Sequence, residues 1–459
     1  MRAGKNIFRE EKMNKFEFGF CKEDITPRYG APLCGYFNPR PNTGAYDRLA
    51  LKAAVFRTGG RSCAAIVSYD LCYIVAGFVQ SVEKILADKK SPLAGKVLYC
   101  ATHTHTGPYT AEIFDSDLTD KDYLDQLRAK TVEALENAYK SLAPAELYTA
   151  QTECTTLAFN RRYVMKNGKI LTNPGKLNPD IVRPEGGVDH AIMMMEIRQN
   201  GFPALLITNI SNHTDTIGGN MVSADWPGRM EAEIQHELGF ALPVMSIIAP
   251  QGNINHFDVS SPVNQTGYEE AKRIGKAYAA AVLAARYKLT LQKDTAIKTA
   301  SKKVPAPYLK LTDREYAAAK KVYAKYKNEV MAPGRDFTSE DIAKGTPFVM
   351  KYFAERAIAC REDPIRKKRV ETQFMMSFGK DLAIVSLPCE PFIELGMAIR
   401  KASKYPMTVL AALGMGEIGY VGLPGNYGNG GYETSPSRGL ADRTVGEAFV
   451  KTAIELLNK

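Results

Sequence analysis

Two histidines at the end of an apolar run are the residues of this chain best suited to chemistry. Residues 96–108 read KVLYCATHTHTGP and contain His103 and His105, two of only six histidines in 459 residues. Imidazole nitrogens bind transition metals and exchange protons near neutral pH. On an extended backbone, side chains two residues apart point to the same side, so both rings could face one site. An HxH pair also fits surface or hydrogen-bonded histidines, so this stretch alone leaves the choice open.

Other polar residues also follow apolar, strand-like runs. They are His213, Asn253, Asn255, Glu390 and the glycine-rich segment between Tyr420 and Tyr432. Open α/β sheets bind their ligands beyond the carboxyl ends of the strands, where several loops meet. The recurrence of this pattern predicts a catalytic mouth at one edge of a sheet.

Zinc is the metal that these residue types favour. It takes His, Asp, Glu and Cys ligands, and a catalytic site keeps one position open for water. On chemistry alone the candidate ligands are His103, His105, His213 and Glu390. The three remaining histidines, His190, His236 and His256, are less suitable ligands. His236 falls in an amphipathic helix, and His190 precedes a strand without a polar partner nearby.

The elements that must position these residues alternate between strands and helices. Residues 64–69 and 97–100 are strand-like, and residues 74–89 between them have helical spacing. Strand–helix–strand order is typical of a parallel sheet. We therefore predict an α/β fold of mixed, mostly parallel sheets flanked by helices, without an internal repeat. Charged, lysine-rich sequence around residues 300–370 predicts a helical insertion over the sheet.

Composition restricts the partners of this protein. Apolar residues make up 45% and charged residues 24%, which is ordinary for a globular protein, and the net charge of +10 comes without a nucleic-acid motif. Eight scattered cysteines indicate buried free thiols and no disulfide framework. A small-molecule substrate is expected, with no nucleic acid and no integral membrane segment.

Residues 1–15 are expected to be a disordered extension. They show no signal peptide, which predicts a cytoplasmic protein, or a periplasmic or secreted one if a signal has been lost.

Six short motifs, in order along the chain, resemble the neutral/alkaline (non-lysosomal) ceramidases in their catalytic N-terminal domain. They are residues 24–27 (DITP), 102–108 (THTHTGP), 160–161 (NR), 212–214 (NHT), 387–391 (LPCEP) and 419–433 (GYVGLPGNYGNGGYE). One such motif is weak evidence, but six in the same order and register are strong. The resemblance implies the ceramidase catalytic fold, and we expect residues 16–459 to form a single domain of this kind.

The resemblance also implies roles for individual residues. The family's zinc ligands fall on His103, His213, Glu390 and Tyr420. The family's other polar groups fall on His105 as an acid/base group, Arg161 as a substrate anchor and Tyr432 as a donor to the tetrahedral oxyanion.

One departure from the family concerns the proposed nucleophile. Ceramidases carry a serine in a loop resembling GDxSPN, whereas residues 252–257 read GNINHF and place Asn255 at the serine position. Ser260 is five residues away and is a poor substitute. With the sequence ending at Lys459, we expect this chain to lack the extra C-terminal β-domain of full ceramidases.

Retained zinc ligands and a lost serine predict a zinc-dependent hydrolase of an amide or ester bond, in which metal-activated water attacks the carbonyl. Ceramide is not the expected substrate, because no lipid-binding feature is visible in the sequence. A small polar amide or ester, for example one from a glycan, fits equally well. Asn255 would then act as an orienting group at most. The alternative is a catalytically inactive relative that binds a small carboxylate or sugar.

Overall fold

The computed structural model describes residues 16–37, 40–110, 119–330, 339–362, 368–435 and 441–459. The predicted N-terminal extension, residues 1–15, lies outside the described residues.

Three successive segments of the chain repeat one order of elements: three strands, a helix, a strand and a helix. We refer to them as the first, second and third modules. The first module consists of β1 (Phe16–Asp24), β2 (Ala50–Thr58), β3 (Ser62–Tyr69), α1 (Ala76–Asp88), β4 (Val97–Ala101) and α2 (Lys121–Lys140). The second consists of β5 (Glu146–Glu153), β6 (Ala191–Gln199), β7 (Phe202–Ile210), α3 (Asp225–Leu238), β8 (Val244–Ile248) and α4 (Tyr268–Ala285).

The third module has the same order with three extra helices after its first strand. It consists of β9 (Ile297–Pro305), the inserted helices α5 (Asp313–Tyr326), α6 (Ser339–Lys344) and α7 (Pro347–Glu362), then β10 (Val370–Phe378), β11 (Leu382–Leu387), α8 (Ile393–Ala402), β12 (Met407–Ala412) and α9 (Val445–Leu457). The lysine-rich stretch therefore begins with a sheet strand, β9, and its helices follow. None of the described helices is both long enough and apolar enough to cross a bilayer.

Each module forms one sheet with the same strand order. The orders are β4-β3-β2-β1, β8-β7-β6-β5 and β9-β10-β11-β12, and the edge strands Ala143–Pro144 and Thr290–Leu291 extend the first two. Within each sheet the first three strands pair antiparallel, and only the last pair is parallel. Short hairpin turns join the second and third strands as antiparallel neighbours, longer connections join the first strand to the second in the same sense, and a crossover helix returns the chain in parallel to form the last pair.

The mixed α/β class is confirmed, but antiparallel pairs outnumber parallel ones, so the prediction of mostly parallel strands was wrong in that respect. The prediction rested on strand–helix–strand order, but this order occurs once per module and so accounts for one strand pair in each main sheet. The prediction of no internal repeat also needs correction, because the repeat lies in topology and leaves no trace in the residue types.

The three sheets pack their inner faces on a shared core, and helices cover the outer faces. Alternation along strands separates the two sides. In β11, Leu382 and Ile384 join the shared core, while Val385 and Leu387 pack with Phe449 of α9. Strands β6, β7 and β8 show the same alternation between the shared core and α3 and α4.

Four pairs of shorter strands lie outside the three main sheets in the described residues, and one of them, Gly44–Ala45 with Met221–Val222, joins the first module to the second. The pairs are Pro32–Leu33 with Arg40–Pro41, Gly44–Ala45 with Met221–Val222, Phe159–Asn160 with Ile254–Asn255, and Glu390–Pro391 with Tyr420–Val421. A small sheet of Arg162–Met165, Ile170–Thr172 and Ile181–Pro184 is inserted between β5 and β6.

Asn209 joins the second and third sheets at the centre of the molecule. Its side-chain amide donates to the Ile247 carbonyl at 2.8 Å and to the Leu410 carbonyl at 2.9 Å. Its oxygen accepts from the Leu410 N–H at 3.2 Å and from Arg400 at 3.1 Å. Asn209 is 1% exposed, so water cannot replace these partners.

We expect Asn209→Ala to lower the free energy of unfolding by about 2–4 kcal/mol, because several buried polar groups lose their partner. Urea denaturation followed by circular dichroism measures this. The control is Asn167→Ala in an exposed turn, which should change stability by less than about 0.5 kcal/mol. Equal effects of the two substitutions would contradict the role of Asn209.

Candidate functional site

The loops that leave the ends of strands in all three modules meet at one place. His103 follows β4, His213 follows β7 and Glu390 follows β11. Because these strands end at the same edge of their sheets, residues 110 and 287 positions further along the chain than His103 become its neighbours. The structure thus gathers three of the four residues that the resemblance assigned to a metal.

The donor atoms of these three side chains face one another at short range. His103 Nε2 lies 3.0 Å from His213 Nε2 and 3.0 Å from Glu390 Oε2. His213 Nε2 lies 3.5 Å from the same carboxylate oxygen. All three residues are buried, and Glu390 Oε2 has no hydrogen-bond partner among the described residues.

The hydrogen bond made by Nδ1 of each imidazole fixes which ring nitrogen carries the proton. His103 Nδ1 lies 2.7 Å from the Cys72 carbonyl oxygen, and His213 Nδ1 lies 3.2 Å from that of Gln251. A carbonyl only accepts, so each Nδ1 donates and each neutral ring keeps a lone pair on Nε2. Backbone carbonyls orient metal-binding histidines in this way. Two lone pairs and an anionic oxygen at this separation repel one another unless a proton or a cation lies between them.

Electrostatics in the group of three residues agree with that geometry. Burial lowers the pKa of His213 to about 3, with a further contribution from the Arg161 charge, so this ring is neutral. Burial opposes the charge of His103, but the Glu390 carboxylate outweighs it and raises the pKa of His103. The two histidines in turn hold the pKa of the Glu390 carboxyl well below its usual range despite burial. The residues present therefore fit a divalent cation, which would compete with the shared proton.

Tyr420, the fourth residue implied by the resemblance, is placed beside Glu390 by strand pairing. Glu390 and Tyr420 are direct partners in a short parallel ladder. The ring of Tyr420 lies parallel to that of His213, with centroids 6.4 Å apart. The side chain is 6% exposed and lines the same cavity.

His105 reaches the site by a different backbone path from the expected one. His103 has a left-handed φ of 67°, so the two histidines do not lie on an extended strand. The His103 N–H donates to the Leu71 carbonyl, which turns the backbone out of β4. His105 Nε2 is nevertheless 3.3 Å from His103 Nε2. Burial, with a smaller effect from His103, holds the pKa of His105 well below its usual range, so the ring is neutral.

Close packing against Gly35 and hydrogen bonds from the buried Arg40 side chain fix the backbone around His105. A Cβ on Gly35 would lie 2.6 Å from the His105 side chain, so only glycine fits there. Arg40 donates to the His105 and Cys34 carbonyls, each at 2.6 Å. Sequence analysis did not identify Arg40, which lies in a glycine- and proline-rich loop without a catalytic pattern.

Arg161 is buried in a charge network at the edge of the cavity. Its Nε donates to Glu433 at 2.8 Å and its Nη2 to the Gly252 carbonyl at 2.8 Å. Glu433 also accepts from Arg162 at 2.9 Å and from Thr172 at 2.6 Å. The Arg161 guanidinium still borders the cavity and lies 5.2 Å from the centre of the Tyr420 ring. Glu433 ends the last motif, but no role was assigned to it from the sequence.

A cavity of about 150 Å³ opens beside the group of three residues. Its floor comes from the loops that follow the strands, including His105, Tyr420 and Tyr432. Its walls come from the connections between the first and second strands of each module: Tyr36 and Phe37 in the first, Arg161, Thr172 and Asn173 in the second, and Ile342 of α6 in the third. Tyr432 packs at 6.3 Å from Phe37 and 6.2 Å from Phe353 of α7, measured between ring centres.

Asn255 does not line this cavity. It is fully buried, donates to Asn173 at 3.1 Å and accepts from the Phe257 N–H at 3.1 Å. The structure therefore separates Asn255 from the other predicted catalytic residues by one layer, and Asn173 lies between it and the cavity.

Sequence analysis missed several residues that line the cavity. Asp215 follows the NHT motif directly, and His256, which had been set aside, is buried behind it. Cys34, Cys72 and Glu417 also line the cavity. The position of Asp215 two residues after His213 was a usable signal, whereas the others belong to no pattern.

Known proteins that are similar to this chain in sequence and in structure include ceramidases. No family model matches the sequence. Neutral ceramidase B of Dictyostelium discoideum is 31% identical over 138 residues, which cover 28% of this chain. The aligned segment spans only 19% of the length of that curated relative.

Solved structures of ceramidases match the fold over most of the chain. The crystal structure of neutral ceramidase from Pseudomonas aeruginosa has a TM-score of 0.71 at 17% identity and covers 97% of this chain and 74% of that one. A structure of a ceramidase complexed with C2 has a TM-score of 0.72 at 18% identity, covering 97% and 75%. The resemblance first seen in six short motifs is therefore confirmed in the fold: this chain has the fold of the neutral ceramidase structures.

Proposed function

We propose that the protein is a zinc-dependent hydrolase of an amide or ester bond, with His103, His213, Glu390 and Tyr420 as the metal ligands. The observation that carries this proposal is the meeting of two histidine Nε2 atoms and one carboxylate oxygen within 3.5 Å. Both Nδ1 atoms are occupied by carbonyl groups, so the free lone pairs can serve only a cation or a shared proton.

The donor set supports zinc over harder cations. Imidazole nitrogen with a single carboxylate suits zinc, whereas magnesium and calcium take mostly oxygen ligands. A bound zinc ion would lower the pKa of water and polarise a carbonyl group. The name of the curated relative, a neutral ceramidase, supports an amide as the bond cleaved.

Three side chains of the cavity supply the remaining functions of a hydrolase. His105 is neutral and offers Nε2 to take a proton and then return it to the leaving group. Tyr432 carries a hydroxyl in the cavity floor that can donate to an oxyanion. Arg161 contributes a buried positive charge, which Glu433 holds in place.

A small polar substrate agrees with the cavity better than a long-chain lipid. The volume of about 150 Å³ is below the roughly 300–1,000 Å³ of pockets that enclose drug-sized ligands. The walls combine aromatic rings with polar groups such as Asp215 and Asn173. We therefore propose a substrate other than ceramide. The replacement of serine by Asn255 also favours a second candidate, an inactive protein that binds a small carboxylate or sugar.

The metal assignment predicts one equivalent of zinc in the purified protein. His103→Ala should lose nearly all of it, since it removes one of two imidazole ligands. Elemental analysis by mass spectrometry measures the content, and His236→Ala, on the exposed face of α3, is the matched control. Equal zinc in the two variants would refute the assignment.

The proposed reaction predicts chelator-sensitive turnover in a panel of N-acyl amino acids, N-acetyl sugars and simple esters. At least one amide or ester should be hydrolysed, and activity should return when zinc is added back. Binding of a carboxylate or sugar without turnover of any panel member would favour the inactive-relative alternative.

Single substitutions should separate the cavity residues from Asn255. On the best panel substrate we expect His105→Ala and Tyr432→Phe to lower kcat/KM at least about a hundredfold, because each group acts on charge in the transition state. Asn255→Ala should cost about tenfold or less, since the side chain binds only Asn173 and Phe257. The assignment fails if Asn255→Ala alone abolishes turnover.

A further inference from the structure

Trp226 is the only tryptophan of the chain, and it lies against a candidate metal ligand. The indole is fully buried in the first turn of α3 and packs on the Tyr278 ring of α4, with ring centres 4.9 Å apart. Its Nε1 donates a hydrogen bond to the main-chain carbonyl of His213 at 2.8 Å. Another large apolar ring could pack on Tyr278, whereas the hydrogen bond needs the indole N–H.

This hydrogen bond acts on backbone that lies outside the sheet. Strand β7 ends at Ile210, three residues before His213. The imidazole Nδ1 of His213 is held by the Gln251 carbonyl at 3.2 Å, and the indole holds the peptide group that follows the same residue. The direction in which Nε2 points depends on both the ring and the main chain. Each of the two contacts therefore fixes one part of the ligand.

The turn that carries Trp226 is tied to the first module. The Ser223 carbonyl accepts from the Thr104 hydroxyl at 2.6 Å and from the Thr106 hydroxyl at 2.9 Å. These two threonines are the neighbours of His105 in the HxH pair. The turn that presents the indole to the second module's histidine is thus bound to the segment that carries the first module's histidines.

Backbone strain marks the same turn. Asp225 has a left-handed φ of 56°, which residues other than glycine seldom adopt unless their surroundings stabilise it. Its carboxylate accepts from the Trp226 N–H at 2.6 Å and from the Ile217 N–H at 3.0 Å. Its own N–H donates to the Ser223 hydroxyl at 3.0 Å. These bonds hold the turn in one conformation, with the indole N–H directed at His213.

We propose that Trp226 is a positioning residue of the metal site, which orients His213 by holding its main-chain carbonyl. The indole does not line the cavity, so it acts through the ligand and not on a substrate. Because the turn is also bound to the HxH segment, Trp226 couples the positions of His103 and His213. This inference rests on the proposed function, since it concerns a ligand of the proposed metal.

Replacing the indole N–H by sulfur tests the proposal without opening a cavity. A tryptophan auxotroph supplied with benzothienylalanine exchanges Trp226 alone, because the chain has no other tryptophan. Zinc dissociation constants are measured by competition with a chromogenic chelator. We expect zinc to bind about tenfold more weakly to the substituted protein than to the wild type, as happens when a metal ligand loses an outer hydrogen bond. Trp226→Phe, which also lacks the donor, should lose at least as much affinity.

Tyr123→Phe is the matched control. The Tyr123 hydroxyl also donates to a main-chain carbonyl at 2.8 Å, that of Ile25, and it lies outside the cavity. Its loss should leave the zinc dissociation constant unchanged. Urea denaturation of the metal-free proteins shows whether the variants lose stability to a similar extent. A general loss of stability would then appear in all of them, whereas a loss of zinc affinity should appear only at Trp226.

A second measurement needs no metal. NMR of isotope-labelled histidine, assigned with His213→Ala, reports which nitrogen of the His213 ring carries the proton. In the metal-free wild type we expect the proton on Nδ1, which faces the Gln251 carbonyl, and in the benzothienylalanine protein a mixture of both tautomers. Wild-type zinc affinity or a wild-type tautomer in the benzothienylalanine protein would overturn the role of Trp226.

The two proposals fail in different ways. A wild-type protein that binds no zinc would refute the proposed metal, and the tautomer of His213 would then decide the role of Trp226 by itself. Zinc that binds equally well to the wild-type and benzothienylalanine proteins would refute the role of Trp226 and leave the proposed function intact.

Discussion

The structure depends on holding two imidazole nitrogens and a carboxylate oxygen within 3.5 Å of one another in a buried place. By themselves these atoms repel, and they become compatible only when a positive charge lies between them. The Cys72 and Gln251 carbonyls fix both rings from behind, and a strand ladder fixes Glu390 beside Tyr420. The rigidity of the sheets is what maintains this unfavourable arrangement.

Three modules of the same topology divide the work of building the site. In each, the segment after the third strand contributes to the floor and the connection between the first two strands contributes to the wall; in the first and third modules the segment after the fourth strand also contributes to the floor. Backbone hydrogen bonds tie floor segments to one another, as between His103 and Leu71. The wall segments differ most in length and include the helices α5, α6 and α7. The candidate metal ligands His103, His213 and Glu390 therefore lie on segments that directly follow sheet strands, whereas the segments that differ most in length border the cavity.

Behind the residues that line the cavity, buried ion pairs join the segments that form its wall and floor. Glu433 joins Arg161 to Arg162, and Arg162 also holds Glu185 and the carbonyls of Asn426 and Gly430 in the glycine-rich loop. A Cβ on Gly431 would lie 2.1 Å from the Arg162 guanidinium, which explains a glycine there. The loop that resembles the serine loop of ceramidases instead carries Asn255 and His256, which bind Asn173 and face Asp215. Its residues orient the cavity wall and provide no hydroxyl group.

The sequence alone determined the α/β class, the family resemblance and part of the set of residues that meet at the site, among them His103, His213 and Glu390, because these depend on residue type, motif order and polar positions after apolar runs. Tertiary structure decided what depends on contacts between distant segments. It made the sheets mainly antiparallel, since only one connection per module is a crossover helix. It gave His103 a left-handed backbone and moved Asn255 behind Asn173. It also paired Asp215 with His256, which are 41 positions apart in the printed sequence. Local patterns record which side chains can do chemistry, but only the packed chain sets which atoms they face.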